Sequence, residues 1–190
     1  MATIHVKDQD RVLREAAEIS EFLARFGIWY RRFEGSDDLD ADASQAEILA
    51  AYGEPIAKLK GEGGYVTADV IDIRPDTPNL DAMLDKFNKE HWHDEDEVRF
   101  IVKGRGLFHV HPQDGPVFSI EVVKGDMINV PRGTHHWFDL CQDRTIRAIR
   151  LFQDKSGWTP HYTGSAEEQQ HQPLCFGPSY IPVQPVTSRI

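Results

Sequence analysis

Glu90-His-Trp-His-Asp-Glu-Asp-Glu-Val-Arg-Phe-Ile-Val-Lys-Gly104 packs two imidazoles and a carboxylate between His91 and Glu97. Nitrogen and oxygen donors of this mixture suit divalent iron, nickel, manganese or zinc. His91 and His93 stand two positions apart, so on an extended strand both project from one face. Glu97 lies an even number of positions further on and joins that face if the chain stays extended. Gly104 reads as a turn that closes the run. A second run, Gly125-Asp-Met-Ile-Asn-Val-Pro-Arg-Gly-Thr-His-His136, brackets a short apolar strand, Met127 to Val130, with Gly125, Pro131 and Gly133. Gly133 can take a positive φ at no steric cost, and the turn hands His136 to the start of the next strand.

Between the runs the chain has room for one hairpin, Leu107–Val110 and Val117–Val123. In this order and at this separation the two runs resemble the two halves of the cupin signature. That resemblance implies a mainly β fold with flanking helices: a cupin barrel, the double-stranded β-helix or jelly-roll, whose closure brings His91, His93, Glu97 and His136 face to face.

Strand parity assigns further side chains. If Glu97 faces the barrel interior, so do Arg99 and Ile101, while Val98, Phe100 and Val102 face a second layer. An arginine beside a metal must be paired. Its partner is either Glu97 or an anionic substrate, whose deprotonated form a guanidinium favours. If His136 faces inward, Phe138 follows it, as pocket wall or plain core, and His135 and Trp137 face outward. His109-Val-His111 is a second His-x-His pair without a carboxylate at the matching spacing. It reads as surface or hydrogen-bonded histidines. The Pro-x-Gly-x2-His spacing selects His136 over His135. Asp94, Glu95 and Asp96 read as a solvated acidic turn, and Asp139 as a solvent-facing or turn residue.

Composition narrows the classes. A chain of 190 residues suits a single domain with a sizeable core. Its net charge of −10 argues against nucleic acid and anionic membranes, and Arg31-Arg32 is too short a basic patch to reverse that. Met1 to Asp10 carries no apolar signal-type run, and no apolar run approaches a membrane span. Two cysteines, Cys141 and Cys175, do not make a disulfide framework, so a reduced, cytoplasmic setting is the expectation. Cys141 lacks a His–Asp partner set for thiol catalysis.

The expected organisation is a helical N-terminal part over about 8–60, a barrel over about 65–163 and an extended surface tail over about 164–190, all one domain. Val12, Leu13, Ala16, Ile19, Phe22, Leu23 and Phe26 recur at helical steps, closed by Gly27. Ile28 to Phe33 reads as a strand. Ser44-Gln-Ala-Glu47 is a capping box opening a helix through Tyr52, which Pro55 ends or kinks. Tyr65 to Ile73 reads as a strand and Leu80 to Phe87 as a short helix. Short strands with turns between them fill Glu97 to Phe152.

Longer segments resemble a narrower family. Glu90-His-Trp-His-x3-Glu97-Val-Arg-Phe-x-Val-x-Gly-Arg-Gly-Leu-Phe108 and Val130-Pro-x-Gly-Thr-x-His-Trp-Phe-Asp139 look like the acireductone dioxygenases of methionine salvage. So do Phe26-Gly-Ile, Asp69-Val-Ile, Lys86-Phe87, Ile149-Arg150-Leu-Phe and Gly157-Trp158, so that the likeness covers most of residues 10–164. Trp92 between the paired histidines, the Gly61–Gly64 stretch and the Pro-rich tail depart from the family pattern. None of them touches a proposed ligand.

The resemblance implies one Fe(II) or Ni(II) per chain on His91, His93, Glu97 and His136, with two adjacent positions left for a chelating enediolate. It implies Arg99 as catalytic and substrate-binding, with Phe87, Phe138, Arg150 and Trp158 shaping the substrate pocket. Glu90 and Asp96, which flank ligands, match family positions linked to metal loading and to relaying local shape changes. The implied reaction cleaves 1,2-dihydroxy-3-oxo-5-methylthiopentene with dioxygen. Iron would yield formate and 4-methylthio-2-oxobutanoate; nickel would yield formate, carbon monoxide and 3-methylthiopropanoate. The implied partners are the small-molecule acireductone and O2, with a monomer as the default. Two other readings stay open: a cupin sugar-phosphate isomerase, which calls for more basic residues in the pocket, and a non-catalytic ligand-binding cupin, which the loss of a ligand would favour.

Overall fold

The computed structural model describes residues 1–33, 39–40, 42–154 and 159–175. Strands β1 (Thr3–Val6) and β2 (Arg11–Leu13) form a hairpin before helix α1 (Ala16–Ala24). The helix expected from Val12 therefore starts later. Asp10, at φ 46°, turns the chain, and Val12 and Leu13 pair with His5 and Ile4. Apolar spacing alone could not separate the two strand residues from the helical stripe behind them. Gly27 closes α1 as expected: at φ 71° it lets Ile28 N–H reach Leu23 O at 3.2 Å while its own N–H reaches Ala24 O at 3.1 Å.

Strand β3 (Tyr30–Arg32) follows, then helices α2 (Gln45–Ala51) and α3 (Gly53–Gly63). The capping box forms at Ser44, whose Oγ accepts from Glu47 N–H while its own N–H donates to Glu47 Oε2. Pro55 does not terminate helical structure. It sits in the first turn of α3, where a missing N–H leaves no hydrogen bond unmade. Then come β4 (Thr67–Ile73), α4 (Leu80–Leu84), β5 (His91–Trp92), β6 (Glu97–His111), β7 (Phe118–Val123), β8 (Asp126–Val130), β9 (His135–Leu140), β10 (Ile146–Phe152) and β11 (His161–Tyr162). No helix among the described residues is long and apolar enough to cross a membrane.

All strand pairings are antiparallel, and β6 belongs to two sheets. Its first half lies between β8 and β10 in the order β3-β8-β6-β10-β4. Its second half lies between β9 and β7 in the order β11-β5-β9-β6-β7-β1-β2. Gly104 is thus not the expected turn. It is a bend within one long strand, at φ 71°, where the register against β10 also shifts. A Cβ there would come within 2.1 Å of Thr145 O. The N-terminal part, expected to be helical apart from one strand, contributes three strands that widen both sheets.

The two inner faces enclose Ile4, Ile28, Ile101, Phe108, Phe118, Ile120, Ile128 and Ile146, with Ile19, Phe22 and Leu23 of α1 at one side. Val98, Phe100 and Val102 face the other way, as parity requires. They pack with Ile149 and Leu151 under Ile48 and Tyr52 of α2 and its C-cap and under Ile56 and Leu59 of α3. The rings of Tyr52 and Phe100 meet edge-on at 4.9 Å. These features make up the cupin barrel with flanking helices.

One further expectation is corrected and one is narrowed. Cys141 and Cys175 are joined in a disulfide, which ties the described part of the tail to the end of β9. Of the two readings of His109, surface or hydrogen-bonded, only the second holds. Its ring is fully buried, stacks on Trp137 at 4.8 Å, and lies 2.9 Å from Ser119 Oγ. Arg32, at the surface, also reaches the buried Asp126 at 2.9 Å.

The bend sets a stability test. Gly104→Ala should destabilise the protein by about 3 kcal/mol or more, from left-handed strain plus a backbone clash. Gly64→Ala, at φ 69° with open space around its Cβ, should lose only about 1 kcal/mol. Urea unfolding of the two variants would separate these terms, and equal losses would show that β6 tolerates a side chain at its bend.

Candidate metal centre

Strand register assembles four side chains from distant positions. His91 faces His136 across β5 and β9, and His136 faces Val110 across β9 and β6. Glu97 opens β6 opposite Val130 of β8, the residue before the Pro131–Gly133 turn. That turn is bonded to the loop carrying His93: Gly133 N–H donates to His93 O at 2.9 Å and Arg132 N–H to Asp96 Oδ1 at 3.0 Å. Asp96 thus bonds the two motif-bearing loops together.

His91, His93, Glu97 and His136 are all buried. One ligand atom from each of the three histidines lies within 4.8 Å of the other two. Glu97 Oε2 stands 3.1 Å from His93 Nε2 and 3.2 Å from His136 Nε2. Each imidazole is held from behind by a carbonyl oxygen, which only accepts. Nδ1–H of His91 donates to Lys89 O at 2.6 Å, that of His93 to Thr159 O at 2.9 Å, and that of His136 to Thr134 O at 2.8 Å. This fixes the tautomer and turns three Nε2 lone pairs toward one another, as orienting partners of metal-binding imidazoles do. Three nitrogens and one carboxylate oxygen with oriented lone pairs fit a single divalent ion.

The electrostatics agree with that use. Burial, then the neighbouring His136, pushes the His91 ring down to about 4, against the pull of Lys89 O and Glu97. It is therefore neutral at pH 7, the form that ligates. Burial also acts to lower His93, but the bond and charge of Glu97 outweigh it and the net shift is upward. Burial would raise Glu97, yet the Arg99 charge and the contacts to His136 and His93 hold it well below the usual carboxylate range. Arg99 donates through Nε to Glu97 Oε1 at 2.8 Å. Of the two partners parity allowed, Glu97 is the one present.

Arg99 also lines a cavity of about 370 Å³. Phe87, Phe138 and Arg150 line it too, so four of the five residues expected to touch substrate meet there. The fifth, Trp158, lies outside the described residues. Arg150 is paired bidentately with Asp69, at 2.7 and 2.5 Å. The remaining walls are mainly apolar: Ile71 of β4, Met83 and Leu84 of α4, Ile101 of β6, and Ile146 and Ala148 of β10. Most of these were not legible as site residues. Ile71, Ile146 and Ala148 were legible only as residues of strand segments, and the β4–β10–β6 pairing turns them toward Arg99.

Glu90 is buried on the far side of His91. It accepts from His111 Nδ1 at 2.5 Å and from the hydroxyls of Thr163, at 2.5 Å, and Ser165. Asp139 belongs to β9, with Oδ2 3.4 Å from His109 Nε2, and so is not a turn residue.

Comparisons with known proteins agree with this geometry. The family profile described as ARD/ARD' family matches residues 5–160. An acireductone dioxygenase of Picosynechococcus is 43% identical over 174 residues, 92% of this chain and 99% of that protein. One from Stutzerimonas stutzeri is 45% identical over 154 residues, 81% of this chain and 84% of that one. A solved acireductone dioxygenase from Bacillus anthracis, with a cadmium ion in its active centre, has a TM-score of 0.79 and 38% identity. It covers 85% of this chain and 98% of that one.

The donor set predicts metal-linked stability. After stripping with a chelator, restoring Ni²⁺ to about 1,000 times its Kd should add roughly 4 kcal/mol to unfolding stability. His93→Ala should lose most of that gain. A wild-type urea midpoint indifferent to Ni²⁺ would count against a metal in this cluster.

Proposed function

The chain belongs to the ARD/ARD' family of acireductone dioxygenases, and we propose that it cleaves 1,2-dihydroxy-3-oxo-5-methylthiopentene with dioxygen in methionine salvage. His91, His93, Glu97 and His136 would hold one Fe(II) or Ni(II). When bound, the ion supplies a Lewis-acidic template for the oxygens of the reductone. With iron the products are formate and 4-methylthio-2-oxobutanoate; with nickel they are formate, carbon monoxide and 3-methylthiopropanoate.

The observation that carries this reading is Arg99. Its guanidinium touches the carboxylate of the four-residue cluster and also lines the apolar cavity. A substrate in that cavity would meet a fixed positive charge at the cluster end, which favours its deprotonated oxygens. The walls from Met83, Leu84, Phe87 and Phe138 suit a methylthio tail and keep water from the cluster. Arg150, neutralised by Asp69, would orient more than it charges. Asp96 would keep the His93 loop docked on the Gly133 turn, and Glu90 would hold the strand that presents His91. The mainly apolar lining does not suit a sugar phosphate.

Oxygen uptake on addition of the reductone tests the proposal. Iron- and nickel-loaded samples should both consume O2, with carbon monoxide released only by the nickel form. If neither takes up oxygen, the reaction is wrong. Arg99→Ala should reduce turnover by about 10²-fold or more while metal content stays near one per chain. Loss of the metal as well would make Arg99 a support for Glu97 alone.

A monomeric, cytoplasmic enzyme belongs to the same proposal, as befits a small-metabolite reaction. The Cys141–Cys175 disulfide weighs on the location, because a reducing compartment disfavours it. Alkylation of both thiols in freshly lysed host cells would agree with the cytoplasm; full protection would point to an oxidising compartment.

A further inference from the structure

The strands that present His91 and His136 inward carry other donors on their outer face. Glu90 and His135 are the chain neighbours of those ligands, so they project the opposite way. His111 pairs with His135 across β6 and β9, one step beyond the Val110–His136 pair, and shares that outer face. Its ring centroid lies 6.2 Å from that of His135, and its Nδ1 is 2.5 Å from Glu90 Oε1. One ligand atom from each of Glu90, His111 and His135 falls within 4.8 Å of the other two, a spread bounded as tightly as that of His91, His93 and His136.

The surroundings separate this group from an incidental surface cluster. Glu90 is only 2% exposed, a carboxylate withdrawn from water at the back of the group. Its Oε2 accepts from the Thr163 and Ser165 hydroxyls, which leaves Oε1 turned toward His111. That is the role outer partners play for a ligating carboxylate. In front, half-buried His111 and His135 open onto a cleft of about 390 Å³ that Asp114 and Arg132 also line. One buried carboxylate, two accessible imidazoles and a solvent-facing side match a zinc site with three protein ligands and an exchangeable fourth.

We propose that Glu90, His111 and His135 form a second divalent-metal site, selective for Zn²⁺ or an ion of similar softness, back to back with the first across the sheet. Binding replaces the His111–Glu90 hydrogen bond with two metal–ligand bonds and leaves the His111 ring proton on Nε2. The ion links β6, β9 and the residue that leads into β5. Through Glu90 it also engages the Thr163–Ser165 segment.

The test uses enzyme already carrying one Ni²⁺ per chain, titrated with Zn²⁺ alone. Calorimetry should show one further equivalent, with nickel content unchanged, and zinc X-ray absorption should show two imidazoles in a nitrogen–oxygen shell. His111→Ala and His135→Ala should each weaken the zinc event by at least about tenfold, since loss of an outer partner alone has such an effect. Both should keep their nickel and their oxygen uptake, which serve as the control for folding. Three results would overturn the site: no second equivalent in excess Zn²⁺, zinc that enters only as nickel leaves, or undiminished zinc binding in both variants.

Discussion

The buried carboxylate of Glu97 is the constraint to which the rest of the site answers. A charge withdrawn from water must be met by partners on all sides, or the fold loses several kcal/mol. Arg99, His93 and His136 meet it, each from a different direction. Satisfying that one group holds the start of β6 against β9 and against the loop after β5. It also places a guanidinium in the wall of a mainly apolar cavity. Structural necessity and chemistry therefore fall on the same side chain: the arginine that keeps Glu97 ionised also lines the cavity.

The second constraint is the period of two along β6. One strand serves two sheets, so each of its faces is buried twice, by different neighbours in each half. In the first half, Glu97, Arg99 and Ile101 turn toward the site and Val98, Phe100 and Val102 toward α2 and α3. A slip of one residue would place Arg99 under Tyr52 and Phe100 beside the cluster. Gly104 makes the double membership possible, because the strand bends where no side chain could fit against Thr145. The helices over Phe100 are therefore not an accessory. They fix the register that aims Glu97.

What could be read directly from the chain was whatever depends on nearest neighbours. The grouping of His91, His93 and Glu97, the inward course of Arg99 and Phe138, the Ser44 capping box and the Gly27 helix end all follow from spacing within one or two elements, whereas the place of His136 beside them rests on the likeness of the two runs to the cupin signature. What could not be read depends on pairing between remote segments. Gly104 has the same signature whether it turns a chain or bends it, and only the β6–β10 register decides. Pro55 looks like a stop signal until another helix begins just before it. His109 reads as surface or hydrogen-bonded until Trp137 covers it. The Cys141–Cys175 bond joins the end of β9 to a tail with no periodic pattern, so no local rule could pair them.

The division of the cavity argues for the kind of molecule it admits. Its polar end is a guanidinium already committed in part to Glu97, and its second arginine is matched by Asp69. A phosphate carries close to two charges, and beyond the two arginines the cavity lining offers it one cation, Lys86, alongside the acidic Asp72, among walls that are mostly isoleucine, leucine, methionine and phenylalanine. An enediolate differs: its charge is spread over conjugated oxygens that a metal ion beside Glu97 can share, and its remaining carbon chain has no charge to solvate. A methylthio group then gains from burial against Met83, Leu84, Phe87 and Phe138 without asking for a hydrogen bond. The same argument explains why the apolar walls come from α4, β4 and β10 as well as from Ile101 and Phe108 of β6 and Phe138 of β9. Near the cluster the inner positions of β6 and β9 are taken up by charge and imidazole, so these strands offer apolar side chains only further along, and elements packed alongside complete the surface that reads the tail.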